Sequence, residues 1–299
     1  MIRELQTDRV TEIRNPTTYD IDRLDVIEVL KLINGEDARI TAAVSECLPA
    51  VARAVGLIVS GMKAGGRLIY VGAGTSGRLG VLDAVECSPT FGVSSAKVVG
   101  ILAGGKRAMF KAKEGVEDDY DLGGREINRI KVRKQDSVIG IAASGRTPFI
   151  LGALTEAKKK GATCIGLFCV AETAEQTELD VVITPVVGPE ILTGSTRMKA
   201  GTAQKMVLNM ISTTVMIQLG KVYSNLMVDL KPTNQKLVER SQRIFKTITG
   251  ADDATARQYL DQAGYNVKAG IVMYKRGCSF GEAIRLLKKN EGFLKRIIG

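Results

Sequence analysis

The stretch Arg67-Leu-Ile-Tyr-Val-Gly-Ala-Gly-Thr-Ser-Gly77 decides the fold of this 299-residue chain. Its first six residues are typical of a buried strand, and the glycines that follow form a loop that opens a helix. The same order of elements returns at residues 137–160, where an apolar strand is followed by a short loop and a helix from Pro148. Short apolar strands that alternate with helices predict an α/β fold, with a doubly wound, mainly parallel sheet covered on both faces.

The other elements are predicted from apolar spacing on either side of this stretch. In the N-terminal part, one helix is expected to end at Asn34-Gly35 and a second to run from about 36 to 63. The helix after the glycine-rich loop is expected to stop at Pro89. Further strands are predicted over 97–102, 163–168 and 180–184, and a long helix over 201–219.

The C-terminal part has a different pattern. Three short amphipathic helices are predicted over 254–263, 267–275 and 280–289. Such a run without strands predicts a small all-α domain. We therefore predict a first domain over 1–248, which includes the N-terminal helices, and a second, helical domain over 249–299.

Composition limits the chemistry of the chain, which contains no histidine. No Ser-His-Asp or Cys-His machinery and no histidine-based zinc site can exist, so proton transfer falls to carboxylates, Lys, Tyr or Cys. The five cysteines are scattered and form no C-x-x-C pair, which favours a reducing compartment over a disulfide framework or a structural metal. The charged N-terminus is not expected to be a signal peptide, and residues 206–219 are too short and polar to span a bilayer. We predict a cytoplasmic location and no membrane partner.

Positive charge is concentrated at the C-terminal end. The chain carries 42 Lys and Arg against 32 Asp and Glu, and residues 231–299 hold 14 of the former and 6 of the latter, a net of +8. A basic segment can contact nucleic acid or anionic lipid. Neither aromatic residues between the basic ones nor a zinc motif supports that interpretation. We favour a solvated basic face on a helical appendage, and predict no nucleic-acid partner.

Gly72, Gly74 and Gly77 match the pattern G-x-G-x-x-G between a strand and a helix. Such a match suggests a dinucleotide, which also needs an acidic residue at the end of the next strand. Here the strand over 97–102 ends in Ala103-Gly-Gly105 without an acid. A dinucleotide is therefore not the favoured ligand.

Three glycine-rich loops with hydroxyl side chains precede helices, at 72–77, 142–147 and 193–199. Each offers hydroxyls, backbone N–H groups and the positive end of a helix dipole, which together suit a phosphate monoester at the carboxyl ends of parallel strands. In any one loop, Thr75, Ser144 or Ser195 could be a plain helix N-cap; three such loops favour phosphate. The candidate substrate-binding residues are Gly74, Thr75, Ser76, Gly77, Ser144, Gly145, Arg146, Thr147, Ser195, Thr196 and Lys199.

The first two loops, with their strands, resemble a sugar isomerase (SIS) domain. Longer matches resemble the N-acetylmuramic acid 6-phosphate etherase family, over nearly the whole chain. The C-terminal part resembles that family's small helical, ubiquitin-associated-like domain. The matching stretches are Asn15–Asp22, Gly65–Gly80, Asp83–Gly92, Glu114–Asp119 and Gly188–Asp229.

The resemblance implies a lyase that removes the D-lactyl ether of N-acetylmuramic acid 6-phosphate by elimination and hydration. No motif in the sequence requires a metal or organic cofactor, and we predict none. The family's catalytic glutamates match Glu86 and Glu117. We expect Glu86 to protonate the departing lactyl oxygen, with its pKa raised by an apolar setting, and Glu117 to act at C2. The opposite division of roles between the two glutamates stays open as an alternative. Val85 replaces the serine usual in the family before the first glutamate, which leaves the tuning of Glu86 open.

Helix geometry constrains how Glu86 reaches a substrate. If one straight helix runs from Ser76, Glu86 lies roughly 15 Å further along it, beyond the reach of one hexose phosphate. Either the phosphate sits mainly at 144–147, or Glu86 serves a site that a second subunit completes. We predict a homodimer with sites at the interface. Three other functions stay open: a non-catalytic SIS sugar-phosphate sensor, a sugar-phosphate isomerase, and a transcription regulator with an SIS sensor.

Overall fold

The computed structural model describes residues 10–111, 113–171, 178–230, 232 and 234–299. The chain forms two compact units. The first is built from the chain up to Ala84 and from Ala96 to Ile211, and the second from Val85–Ser95 and Ser212–Gly299. The helical domain that the sequence predicts over 249–299 lies within the second unit.

A five-stranded sheet is the centre of the first unit, and all its strands are parallel. The strand order is β2-β1-β3-β4-β5, and β1 and β3 are buried along their whole length. This confirms the predicted α/β fold with a parallel sheet. The strands are β1 Leu68–Gly72, β2 Val98–Leu102, β3 Ser137–Ala142, β4 Thr163–Phe168 and β5 Val181–Ile183.

Helices precede, separate and follow the strands. Short 3₁₀ helices cover Pro16–Thr18, Ile21–Arg23 and Lys106–Met109. The α-helices up to β5 are α1 Val26–Asp37, α2 Ile40–Glu46, α3 Leu48–Lys63, α4 Gly74–Phe91, α5 Tyr120–Arg129 and α6 Pro148–Lys159. Those after it are α7 Lys199–Gln218, α8 Gln235–Thr249, α9 Asp253–Gln262, α10 Val267–Arg276, α11 Phe280–Lys289 and α12 Lys295–Ile298.

The predicted N-terminal helix boundaries were wrong. Helix α1 continues through Asn34-Gly35 to Asp37, because a glycine inside a helix costs only about 1 kcal/mol. The single helix expected over 36–63 is divided into α2 and α3, and Pro49 stands in the first turn of α3, where its missing N–H removes no helical bond.

The predicted stop at Pro89 was also wrong. Helix α4 ends at Phe91, and the N–H of Gly92 still donates to the carbonyl of Ser88 at 3.0 Å. A proline this close to the end of a helix disturbs only its last turn. Gly92, with φ +65°, then turns the chain in the left-handed region that favours glycine.

A buried ion pair fixes the amino ends of β1 and β3. Asp136 is fully buried and accepts hydrogen bonds from the backbone and guanidinium N–H groups of Arg67, with the closest contact at 2.6 Å. Burial alone would raise the pKa of Asp136, but Arg67 and the N–H of Arg133 hold it below its usual value. This pair joins β1 and β3 at their amino ends, and the loops that follow these strands leave from their carboxyl ends.

In the described part of the chain, no single helix has the length and apolar character needed to cross a membrane. Two consecutive helical segments, Val26–Glu46 and Leu48–Lys63, meet both conditions when they are taken together, and the chain bends by 57° between them.

Candidate active site

The strand order places a crevice between β1 and β3. The chain passes from β1 to its neighbour on one side, β2, and then returns to the other side at β3, so the loops after β1 and β3 diverge. Gly72, at the end of β1, is paired in register with Ile141 of β3. Two of the loops that the sequence predicts to bind phosphate therefore leave the sheet side by side.

A cavity of about 380 Å³ opens at this crevice. It is within the size range of small-molecule sites, and its walls are mostly polar. The structure brings eight of the predicted site residues together in its lining: Gly74, Thr75, Ser76, Glu117, Ser144, Arg146, Thr147 and Thr196.

The glycines of the β1–α4 loop have different tasks. A Cβ on Gly77 would lie 2.4 Å from the carbonyl oxygen of Gly72, so this pair allows α4 to approach the strand closely. Gly77 does not line the cavity, and its N–H donates to the carbonyl of Ala73 at 3.0 Å. Gly77 is thus a packing residue in this structure.

The first turn of α4 offers donors to the cavity. Within the described residues, the backbone N–H groups of Thr75 and Ser76 have no hydrogen-bond partner, as expected at a helix N-terminus. The Ser76 hydroxyl, in contrast, donates to the buried Gln204 at 2.8 Å. An anion at this end of the cavity would meet free N–H groups and the positive end of the helix dipole.

The β3–α6 loop offers hydroxyls rather than helix donors. Thr147 is the N-cap residue of α6 but makes no side-chain capping bond, and Pro148 has no N–H. The N–H of Phe149 donates to Glu117 and that of Ile150 to Thr147, both at 3.0 Å. This loop can therefore offer a ligand the side chains of Ser144, Arg146 and Thr147, together with its backbone groups. The backbone turns at Gly145, which has φ +69°.

Glu117 is held in the cavity wall through its backbone. Its carbonyl oxygen accepts the Phe149 N–H, so the loop before α5 is tied to the first turn of α6. Helix α5 begins three residues later, where the side chain of Asp119 caps the N–H of Leu122 at 2.7 Å. The side chain of Glu117 is exposed, and Asp118 lines the cavity beside it.

The N-terminus of α7 is capped by a carboxylate of the protein itself. Glu190, 1% exposed, accepts hydrogen bonds from the N–H groups of Lys199 and Ala200 at 3.0 and 2.9 Å. The side chain of Lys199 is buried and pairs with Glu36 at 2.5 Å. Of the third predicted loop, Thr196 lines the cavity, whereas Ser195 and Lys199 do not.

Glu86 does not line this cavity either. It lies on α4, ten residues after Ser76, and its side chain is exposed, as is Val85 at 61%. The apolar setting expected for this carboxylate is thus not provided by the surface of the single chain.

Two cavity residues, Thr11 and Glu12, were missed by the sequence analysis. They belong to the N-terminal segment, far from the other lining residues along the chain, and no local pattern marks them. Only the match of the following residues, Asn15–Asp22, pointed to this part of the chain.

The buried cysteines have no place in the cavity. Burial raises the pKa of the Cys164 thiol to about 12 and also raises that of Cys169, so neither is a thiolate at neutral pH. Among the residues that the structure describes, no group of three or more Cys, Asp or Glu side chains could hold a metal ion.

Comparisons with known proteins agree with this architecture. A family model described as the glucokinase regulatory protein N-terminal SIS domain matches residues 50–158, and one described as a UBA-like domain matches residues 244–274. A protein named N-acetylmuramic acid 6-phosphate etherase from Caldanaerobacter subterraneus subsp. tengcongensis is 54% identical, over 97% of this chain and 94% of its own length. The chain belongs to the N-acetylmuramic acid 6-phosphate etherase family.

Other members of the etherase family match equally widely. The relative of that name from Shouchella clausii is 49% identical over 96% of this chain and 97% of its own. Among solved structures, a protein from Bacteroides fragilis named as a phosphosugar isomerase has a TM-score of 0.50 at 18% identity. That match covers 65% of this chain and 91% of the other. This similarity supports only the SIS-type fold of this etherase-family chain.

Proposed function

We propose that this chain cleaves the D-lactyl ether of N-acetylmuramic acid 6-phosphate, giving N-acetylglucosamine 6-phosphate and D-lactate. Identities of about half the residues with etherases, over nearly the full chain, support the reaction. The observation in the structure that carries the proposal is the cavity between β1 and β3, where hydroxyl loops, a free helix N-terminus and Glu117 converge.

The phosphate belongs at the end of the cavity formed by the first turn of α4 and the loop over 144–147. Thr75 and Ser76 supply backbone N–H groups, Ser144 and Thr147 supply hydroxyls, and Arg146 supplies a cation. These are the groups that bind phosphate in other proteins. The sugar then extends toward Glu117.

The elimination requires two proton transfers, the hydration requires two more, and water is the only other reagent. The open-chain aldehyde acidifies the proton on C2, and Glu117 removes it. The C3–O bond to lactate breaks as Glu86 protonates the departing oxygen, and a double bond forms between C2 and C3. Water then adds, its oxygen to C3 and a proton to C2.

The exposed position of Glu86 is the reason to include a second subunit. On one chain, Glu86 is outside the cavity that contains Glu117. We infer a homodimer in which Glu86 of one copy completes the cavity of the other. Contact with that copy would also supply the burial that a carboxylic acid needs to stay protonated at neutral pH.

The setting of the reaction is the metabolism of cell-wall amino sugars, in recycling or catabolism. We place it in the cytoplasm, on the ground of the scattered cysteines.

A D-lactate assay with N-acetylmuramic acid 6-phosphate tests this function. We expect the purified chain to release one D-lactate for each N-acetylglucosamine 6-phosphate formed. Tight binding without D-lactate would contradict the proposal and support the sugar-phosphate sensor instead. Interconversion of aldose and ketose without D-lactate would support the isomerase.

A further inference from the structure

The N-terminal segment over residues 11–18 is built into the wall of the cavity. Thr11, 4% exposed, accepts the N–H of Gly194 at its backbone carbonyl, at 3.2 Å. The buried Asn15 donates to the carboxylate of Glu36 at 3.0 Å, and the hydroxyl of Thr18 donates to the carbonyl of Ile191 at 2.8 Å. These bonds hold the segment against α1 and against the chain that precedes α7.

This anchoring places the carboxylate of Glu12 at the cavity. Its Oε1 lies 3.4 Å from the hydroxyl of Thr11, and its Oε2 would lie 3.6 Å from a Cβ on Gly194, which also lines the cavity. The side chain is exposed. Within the described ranges, no Lys or Arg nitrogen lies within 4.0 Å of it. Its acceptor oxygens are therefore available to a ligand.

The lining of the cavity carries charges of both signs. Three carboxylates line it, Glu12, Glu117 and Asp118, against one cation, Arg146. An anion next to these carboxylates would be repelled, so the phosphate belongs with Arg146 and the N–H groups of α4. A carboxylate with no cation beside it can accept hydrogen bonds from the hydroxyl groups of an uncharged part of the ligand.

We propose that Glu12 is a specificity-determining residue that accepts hydrogen bonds from the hydroxyl groups of the sugar chain. This inference rests on the proposed function for the identity of the sugar phosphate. It explains how a cavity that binds phosphate prefers a phosphorylated sugar to inorganic phosphate. The substrate contact is direct, so the effect of Glu12 is on ligand binding, and the proton transfers belong to other groups.

Titration calorimetry with two ligands tests this role. For Glu12→Gln we expect the Kd of N-acetylglucosamine 6-phosphate to rise roughly 10-fold or more, because a hydrogen bond to a charged acceptor is lost. The Kd of inorganic phosphate should stay within about twofold or fall, because a negative charge has been removed. Asp22→Asn is the matched control, an exposed carboxylate of the same N-terminal region that does not line the cavity, and it should change neither value.

The inference is overturned if the two Kd values rise together in Glu12→Gln, which would indicate a distorted cavity, or if neither changes. D-lactate release by the wild type, measured in parallel, separates this result from the proposed function. If wild type releases no D-lactate, the etherase proposal fails, while the ratio of the two Kd values still decides the role of Glu12. A wild type that binds neither ligand contradicts both.

Discussion

In the proposed reaction, the carboxyl group of Glu117 takes a role that many enzymes give to a histidine, since this chain contains none. Its position is set by a main-chain bond, from the Phe149 N–H to the Glu117 carbonyl, and its side chain has no hydrogen-bond partner among the described residues. The side chain is thereby left free to act on a ligand at the edge of the cavity.

Replacing Glu117 by Gln removes this base while keeping its shape. We expect deuterium from heavy water to stop entering at C2 of the sugar, and kcat for D-lactate release to fall about 10²- to 10⁴-fold, the usual contribution of general-base catalysis. Glu114→Gln is the matched control, three residues earlier, exposed and outside the cavity lining. Undiminished exchange at C2 in Glu117→Gln, measured by NMR, would assign the base to another group.

The buried pair of Glu36 and Lys199 does not line the cavity. Glu36 also accepts a hydrogen bond from Asn15, in the N-terminal segment that contains the cavity residues Thr11 and Glu12. Burial alone would raise the pKa of Glu36, but Lys199, Arg39 and Asn15 outweigh it and hold the pKa below its ordinary 4.5. Stability from this group is therefore present above pH 4.5 and is lost as the pH falls through the lowered value.

Glu36→Gln leaves the Lys199 charge buried without its partner. We expect a loss of about 3–5 kcal/mol in the free energy of unfolding at neutral pH, measured with urea. The difference from wild type should shrink as the pH falls below 4.5. The double variant Glu36→Gln/Lys199→Met removes the buried charge and should recover much of the loss. A constant difference at all pH values would show that the ion pair is not its cause.

Single residues were the hardest part to predict. The hydroxyls of the 142–147 loop, which the sequence proposes for substrate binding, line the cavity; they could be singled out because a strand end and a helix start are local signals. The sequence could not show that Lys199 is buried against Glu36, because that contact joins residues far apart in the sequence. Thr11 and Glu12 are held at the cavity by bonds to residues far along the chain, such as that between Thr11 and Gly194.

At the scale of elements, two glycines set the distance between α5 and α6. A Cβ on Gly123 would lie 1.9 Å from the carbonyl oxygen of Phe149, and one on Gly152 would lie 1.9 Å from that of Tyr120. The two helices therefore touch along their backbones. This contact fixes the start of α5, and with it the loop that carries Glu117.

Gly123→Ala should push α5 away from α6. We expect a loss of about 1–3 kcal/mol, as for an overpacked core, and a fall in kcat because Glu117 moves. The next residue provides the control: a Cβ on Gly124 would meet its nearest neighbour at 3.6 Å, an ordinary contact. Gly124→Ala should be neutral or gain up to about 1 kcal/mol from helix propensity. Equal urea unfolding curves for the two variants would contradict the close contact.

Elements were predicted best where they are buried and periodic. All five strands were found within about one residue of their observed bounds, because fully buried parallel strands are short apolar runs between turns. Local breakers were given too much weight, at Asn34-Gly35 and at Pro89, because packing outweighs a cost of a few kcal/mol. Helices α5 and α8 were not assigned from the sequence.

At the scale of the whole molecule, the proposed homodimer can be tested by complementation. If each site takes Glu117 from one subunit and Glu86 from the other, two inactive variants can rescue each other. A heterodimer of Glu86→Gln and Glu117→Gln has one site with both replacements and one with neither.

Co-expression of these two variants, with different tags, tests the shared site. The purified heterodimer should regain about half of the wild-type activity, whereas each variant alone stays inactive. Light scattering at the assay concentration should show a dimer. If the heterodimer is as inactive as its parents, or if the wild type is a fully active monomer, each site lies within one chain.

The central claim is that the ether is cleaved by elimination and that water then adds to the sugar. The most direct measurement is the reaction with N-acetylmuramic acid 6-phosphate in water enriched in heavy oxygen, followed by mass spectrometry of both products. Because water adds its oxygen to C3 after the elimination, we expect the label on C3 of N-acetylglucosamine 6-phosphate and none in D-lactate. Label in D-lactate would mean that the other carbon–oxygen bond of the ether is cut, and would contradict it.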